Sequence, residues 1–285
     1  MKNLIRFDWA IKRLLRNKAN HEVLEGFLTA LFGQPIVIQS ILEGESNQQG
    51  ETDKFNRVDM LVENSQGELM IIEIQNQNEY DYFQRMIYGT AKVISEYISL
   101  GETYENIKKV FSINIVYFDL GQGEDYVYHG KTEFKGMHEA DTLQLSEKQK
   151  ETFEKQLPFQ LFPEYYLLKV NQFDDKAKDS LDEWIYYLKN GEIRDEFTAP
   201  GLQKAKELLK LDSLTSTERK QYIRYMEDLS LKASLTNSMK IDAISEIKRE
   251  QTIEIARNFL KAGVFIEIIA QSTGLSEETI KKLNP

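Results

Sequence analysis

Apolar residues recur with two different periods along this chain, and the change from one to the other divides it. Val23, Leu24, Phe27, Leu28 and Leu31 fall on one stripe at helical spacing, with Asn20 placed to cap the helix and Gly33-Gln34-Pro35 to end it. A shorter helix before it, capped by Asp8, carries Ile11, Leu14 and Leu15. Ile36 to Leu42 reads as a strand and Glu43 to Thr52 as a polar loop. Met60-Leu61-Val62 and Leu69-Met70-Ile71-Ile72 then flank a polar break, which predicts a hairpin whose loop is Ser65-Gln66-Gly67, with Gly67 at positive φ. Tyr80 to Leu100 predicts a long helix with Phe83, Ile87, Ala91, Ile94 and Ile98 on its apolar face and Gly101 as its stop. Val110 to Phe118 and Glu164 to Val170 alternate as strands, and Tyr126 to His129 and Thr142 to Leu145 are shorter candidates. Ser146 to Gln156 reads as a solvated connection or an exposed helix.

From Asp174 onward only helical spacing remains, at Lys176 to Lys189, Leu202 to Leu211, Ser216 to Lys232 and Asp242 to Ala262. The last stretch, Phe265 to Leu283, has the form of a helix-turn-helix with Ser276 capping its second helix. The pattern therefore predicts an α/β domain over 1–172, a mixed sheet flanked by helices, and a helical region over 173–285.

Composition narrows the chemistry. Of 285 residues none is cysteine and three are histidine (His21, His129, His138), which excludes disulfides, thiolate zinc sites and a cysteine nucleophile. A catalytic metal would have to be held mainly by oxygen. No run approaches the ~20 apolar residues of a membrane span, and Met1 to Arg6 lacks the apolar core of a signal peptide, so the expected location is cytoplasmic with no membrane partner. The net charge of −10 argues against nonspecific coating of nucleic acid. Locally the balance differs: Lys2, Arg6, Lys12, Arg13, Arg16 and Lys18 face the single acid Asp8, a candidate phosphate surface or a solvated helix face. The tail from Gln251 to Pro285 holds four basic and four acidic residues, so packing or self-association competes there with DNA reading. No phosphate-cradling glycine loop and no serine nucleophile elbow is present.

The hairpin carries the candidate chemistry. With that loop the numbers of paired residues sum to 132, which sets Asp59 opposite Glu73 and Arg57 opposite Gln75, all on one face with Leu61 and Ile71. Facing carboxylates have Cβ atoms roughly 4.5–5.5 Å apart and repel. Either both point into water, or they hold a hard cation such as Mg²⁺. Glu22 and Glu25, on the polar side of their helix, are further acids that could join a metal or simply be solvated. On the helix after the hairpin, Gln84, Arg85, Tyr88 and Lys92 are neighbours at three- and four-residue spacing, suited to phosphate contact or to an ordinary helix surface.

Arg57-Val58-Asp59-Met60-Leu61, Ile72-Glu73-Ile74-Gln75, Arg85 with Tyr88, Gly101 with Tyr104, the strand Val110 to Phe118, and in the tail Ile269-Ala270 and Thr273-Gly274-Leu275-Ser276 together resemble the PD-(D/E)xK nuclease superfamily, within it the recombination-promoting nuclease and putative transposase family. The resemblance implies a restriction-endonuclease-like core in the order α-β-β-β-α-β and a Mg²⁺- or Mn²⁺-dependent DNA endonuclease. It assigns Asp59 and Glu73 as catalytic metal ligands with the carbonyl of Ile74, and Gln75 to orient water or a phosphate oxygen where the superfamily usually has lysine. Arg57, Gln84, Arg85, Tyr88 and Lys92 would contact DNA, and Arg85 or Lys92 could supply the missing charge. Two other readings stay open: a noncatalytic DNA-binding or regulatory protein that keeps the fold, and an interaction module or homo-oligomer built on the helical C-terminal region.

Overall fold

The computed structural model describes residues 4–6, 9, 21–42, 59–98 and 103–283. Asp8 with its helix, the basic run from Met1 to Lys18 apart from residues 4–6 and 9, Asn20, the loop Glu43 to Thr52, Arg57 and Gly101 lie outside them. The chain divides into two compact units, Met1–Leu214 and Thr215–Pro285.

In the first unit, helix α1 (Glu22–Phe32) precedes strands β1 (Ile38–Leu42), β2 (Met60–Asn64) and β3 (Leu69–Gln75), helix α2 (Tyr82–Glu96) and strand β4 (Val110–Val116), the expected α-β-β-β-α-β order. There follow β5 (Val127–Gly130), α3 (Glu147–Phe153), β6 (Glu164–Lys169), α4 (Ser180–Asn190) and α5 (Leu202–Leu208). Among the described residues six strands form one mixed sheet in the order β1-β2-β3-β4-β6-β5, with β4 parallel to both β3 and β6. Thr142 makes only an isolated bridge to Lys135, too short to extend the sheet as the candidate strand 142–145 would have.

The hairpin has the predicted register: Met60 pairs with Ile72, Leu61 with Ile71 and Val62 with Met70. Gly67 adopts φ +75° and its N–H donates to Asn64 O at 3.0 Å. Asn64 locks the turn by accepting from the N–H groups of Gln66 and Glu68 at 3.0 and 2.9 Å. Because side chains alternate between faces, this register decides what lies beneath each helix.

One face, with Leu61, Leu69, Ile71 and Val110, packs against Val93 of α2. The opposite face meets α1, where the Phe32 ring stands edge-on to Phe111 and Tyr166, each at 5.0 Å. Behind α1 lie α4 and α5. Phe27 meets Trp184 at 5.6 Å, and Gly26 lies so close to the backbone of Pro200 and Gly201 that an added Cβ would stand 2.3 Å from Pro200 O. The boundary expected at 172/173 therefore falls inside the first unit, because the helices after it complete that unit's core.

α2 is rotated from the expected orientation. Tyr82, Met86, Thr90 and Val93 are buried, whereas Phe83 and Ile87 are 47% and 61% exposed. The reason lies in the sheet below: next to Leu61 and Ile71 the floor turns polar with Glu73, Ser112 and Asn114, and Tyr82 and Thr90 suit it better than two hydrocarbons. The Tyr82 hydroxyl donates to Asn114 Oδ1 at 3.2 Å, and Thr90 Oγ1 donates to Met86 O at 2.9 Å.

The second unit consists of α6 (Ser216–Lys261), α7 (Ile266–Thr273) and α8 (Glu277–Lys282). The two helices expected at 216–232 and 242–262 are one helix of 46 residues. The polar segment between them, Ala233 to Ile241, contains neither glycine nor proline, and Thr236 satisfies its hydroxyl on Lys232 O at 2.9 Å, so nothing breaks the helix. Ala256, Ile269 and Ile280 form the small core that holds the helix-turn-helix, with Gly274 at φ +72° in its turn and Ser276 Oγ accepting from Thr279 N–H at 3.2 Å. Among the described residues no helix is long and apolar enough to cross a membrane.

Candidate active site

β3 ends between two apolar clusters. Leu61, Leu69, Ile71, Val93 and Val110 fill one side, and Tyr82, Met86, Val116 and Phe118 fill the other. Between them Glu73 faces Asn114 of β4, and a narrow cleft opens, lined by Glu73, Tyr82, Arg85, Met86, Ser112 and Asn114. Asp59 stands just before β2 and, by continuation of the hairpin register, opposite Glu73. Its Oδ2 accepts a hydrogen bond from the Ile74 N–H at 2.9 Å, which fixes the carboxylate against the rim of β3. The Gln75 carbonyl accepts from Tyr117 N–H at 3.0 Å on the β4 side. Strand alternation then turns the Ile74 N–H and C=O together toward Asp59.

This juxtaposition changes the acidity of Glu73. Its side chain is 14% exposed, and burial first, then the neighbouring Asp59 carboxylate, push its pKa up to about 8. The Arg85 guanidinium and a hydrogen bond from the Asp59 backbone N–H pull the other way without cancelling that rise. Burial, with the Glu73 charge next in size, also raises the Tyr82 phenol. Glu73 is thus a largely buried acid that holds its proton because burial and the Asp59 charge together outweigh Arg85.

Arg85 does not lie on the exposed stripe expected for it. It turns inward, with Nη2 3.7 Å from Glu73 Oε2 and Nη1 at 2.9 and 3.1 Å from the two oxygens of Glu79. Glu79 also accepts a hydrogen bond from Gln75 Nε2. This acid was not apparent from sequence, because it sits in the polar run Gln75-Asn76-Gln77-Asn78-Glu79, which reads as loop; its only signal is the position just ahead of α2. Beside it, Arg6 Nη2 donates to Asn76 Oδ1 at 3.0 Å and its guanidinium lies 5.3 Å from the centre of the Tyr117 ring, bringing one residue of the basic N-terminal run to this end of the sheet.

The other expected residues are distributed differently. Gln84 and Tyr88 are exposed, the latter by 45%, while Lys92 is half-buried and 3.7 Å from Glu96. Arg57 lies outside the described residues. Glu25 is spent on structure, accepting from Ile38 N–H at 2.8 Å, and Glu22 is exposed. Neither is brought to Asp59.

Two facing carboxylates and a backbone carbonyl are hard oxygen donors, and a cation between them would relieve the repulsion that raises Glu73, so the donor set fits Mg²⁺ or Mn²⁺. Among the described residues no three His, Cys, Asp or Glu side chains form a group that could hold a metal ion. An ion here would complete its shell with the Ile74 carbonyl, water and substrate oxygen.

Comparison with known proteins agrees with the fold. Residues 5–243 match the model of the PD-(D/E)XK nuclease family transposases. Residues 249–285 match the C-terminal helix-turn-helix domain of the Rpn/YhgA-like nuclease family. No curated protein and no solved structure matches the chain significantly. The two matches span nearly the whole chain, in the order its two units are built, and the chain belongs to the PD-(D/E)XK nuclease family transposases.

Proposed function

We propose that this chain is a DNA endonuclease that depends on Mg²⁺ or Mn²⁺, hydrolyses phosphodiester bonds and serves the recombination or transposition of DNA in the cytoplasm. The observation that carries the reading is the Asp59–Glu73 pair, two acids held face to face with the Glu73 carboxyl raised to about 8. Asp59, Glu73 and the Ile74 carbonyl would hold the ion. When bound, a divalent ion supplies Lewis-acid stabilisation of the phosphate and lowers the pKa of a water.

The chain's own groups do the rest. Gln75 orients the attacking water or a phosphate oxygen. Arg85, beside Glu73, supplies positive charge against the phosphate. Gln84, Tyr88 and Lys92 along α2, with Arg57, contact the DNA backbone, which sets register without reading sequence. The helical C-terminal region adds DNA docking or self-association.

Asp59→Ala and Glu73→Ala should each abolish Mg²⁺-dependent nicking of a supercoiled plasmid, a loss of at least about 10³-fold or ~4 kcal/mol in the barrier, while circular dichroism shows the fold retained. Undiminished cleavage by both variants would overturn the assignment.

A second reading, a noncatalytic DNA-binding protein, is favoured by Gln75 standing where the superfamily usually has a cation, and by Arg85 being engaged with Glu79. Calorimetric titration with Mn²⁺ separates the two, since no binding at millimolar ion leaves only the second.

A further inference from the structure

Glutamine at position 75 can act in two opposite ways, as an N–H donor to phosphate oxygen or as a carbonyl acceptor toward a cation or a water proton. The site contains the group that chooses between them. Glu79, whose carboxylate is paired with Arg85, accepts a hydrogen bond from the Gln75 side-chain amide, so the amide corner that meets it is the NH₂ group. Arg85 holds Glu79 in place through both of its oxygens, at 2.9 and 3.1 Å, and the same guanidinium reaches to 3.7 Å from Glu73. The chain Gln75–Glu79–Arg85–Glu73 begins and ends on β3.

We infer that Glu79 is a positioning residue for Gln75: by binding the amide nitrogen it leaves the amide oxygen as the group Gln75 presents on the Asp59–Glu73 face. Gln75 then serves as an acceptor, a ligand for a hard divalent ion or the orienter of the attacking water's proton. The positive charge that a lysine would bring to the same strand position is carried by Arg85 instead. Acceptor and cation are thus divided between two side chains, and Glu79 holds both. This inference rests on the nuclease reading above.

Two measurements on the full-length chain test it. In the ¹⁵N–¹H spectrum, the assigned Gln75 side-chain amide of the wild type should show one proton shifted downfield by the carboxylate, and Glu79→Ala should return both protons to free-amide positions. Identical Gln75 amide shifts in the two proteins overturn the inference whatever the activity. In Mg²⁺-dependent cleavage, Glu79→Ala should lower kcat by about 10- to 100-fold with KM for DNA unchanged, the size expected for a misplaced group. Glu79→Gln, which keeps an acceptor oxygen, should restore most of that loss. In a Gln75→Ala background the Glu79→Ala substitution should cost at least about tenfold less, because the two act as a unit. Equal losses in both backgrounds, with the wild type active, remove the positioning role alone. A wild type that neither cuts DNA nor binds Mn²⁺ removes the nuclease reading and the positioning role together.

Discussion

Glu164 and Glu73 lie on opposite faces of the same sheet, the first buried and the second largely so, and their surroundings could hardly differ more. Glu164 of β6 has both oxygens matched: Lys109 Nζ is 2.7 Å from one and His129 Nε2 2.6 Å from the other. Lys109 in turn donates to the Phe159 and Phe162 carbonyls and lies 5.1 Å from the centre of the Phe111 ring, while His129 stacks on Tyr166 at 4.3 Å. Glu73 has instead an arginine at 3.7 Å, already shared with Glu79, and a second carboxylate opposite. Burial alone therefore does not mark a functional acid. A carboxylate partnered on both oxygens completes a structure, and one set opposite a second carboxylate is the place where we propose an ion binds.

The contrast can be broken most severely at Glu164. Lys109→Met removes one of its two partners and should destabilise the fold by about 3–5 kcal/mol in urea unfolding, while the protein that remains folded cuts DNA as the wild type does. A stability change under ~1 kcal/mol would place Glu164 in the same class as Glu73 and end the distinction.

At Glu73 the sign is reversed. Its folded-state pKa, about 8, lies above the 4.5 of the free side chain, so its favourable contribution is complete below pH 4.5 and is lost as pH rises toward 8. Glu73→Gln, which does not titrate, should exceed the metal-free wild type in stability by a margin that widens from pH 5 to pH 8, by about 1–3 kcal/mol. Saturating Mg²⁺ should close that margin by stabilising the wild type alone. A margin constant with pH would show that Glu73 is not held protonated. The smallest effect is expected from Asp59→Asn, which keeps an oxygen for the Ile74 N–H but removes the charge that helps to raise Glu73: in EDTA it should narrow the pH-dependent margin between Glu73→Gln and its parent, and an unchanged margin would mean that the two carboxylates do not repel.

The hairpin was legible in the sequence because two-residue alternation and one glycine fix a register without knowledge of the rest of the fold, and Asp59 and Glu73 follow from that register. What was not legible depends on contacts between distant segments. Lys109 and Glu164 lie 55 positions apart and are joined only by the parallel pairing of β4 with β6. Glu79 reads as loop until Arg85 folds back over it from the first turns of α2. The orientation of α2 misleads for a related reason: Phe83 and Ile87 form a good apolar stripe, yet the surface below is polar at Glu73, Ser112 and Asn114, and the stripe that contains Tyr82 is the one that fits. Periodicity reports what a helix could bury and says nothing about the polarity of its floor.

The register of β2 against β3 also governs how this site can change over generations. Asp59 shares a face with Glu73 because the number of residues from each to the turn has the same parity. Losing or gaining a single residue between Asp59 and Val62, while the apolar pairs hold the strands together, would send the carboxylate to the far side of the sheet with every chemical group still present. Substitutions at the exposed turn residues Ser65 and Gln66 should be tolerated, whereas single-residue insertions and deletions within the strand should not. What this hairpin transmits to its descendants is a count as much as a composition.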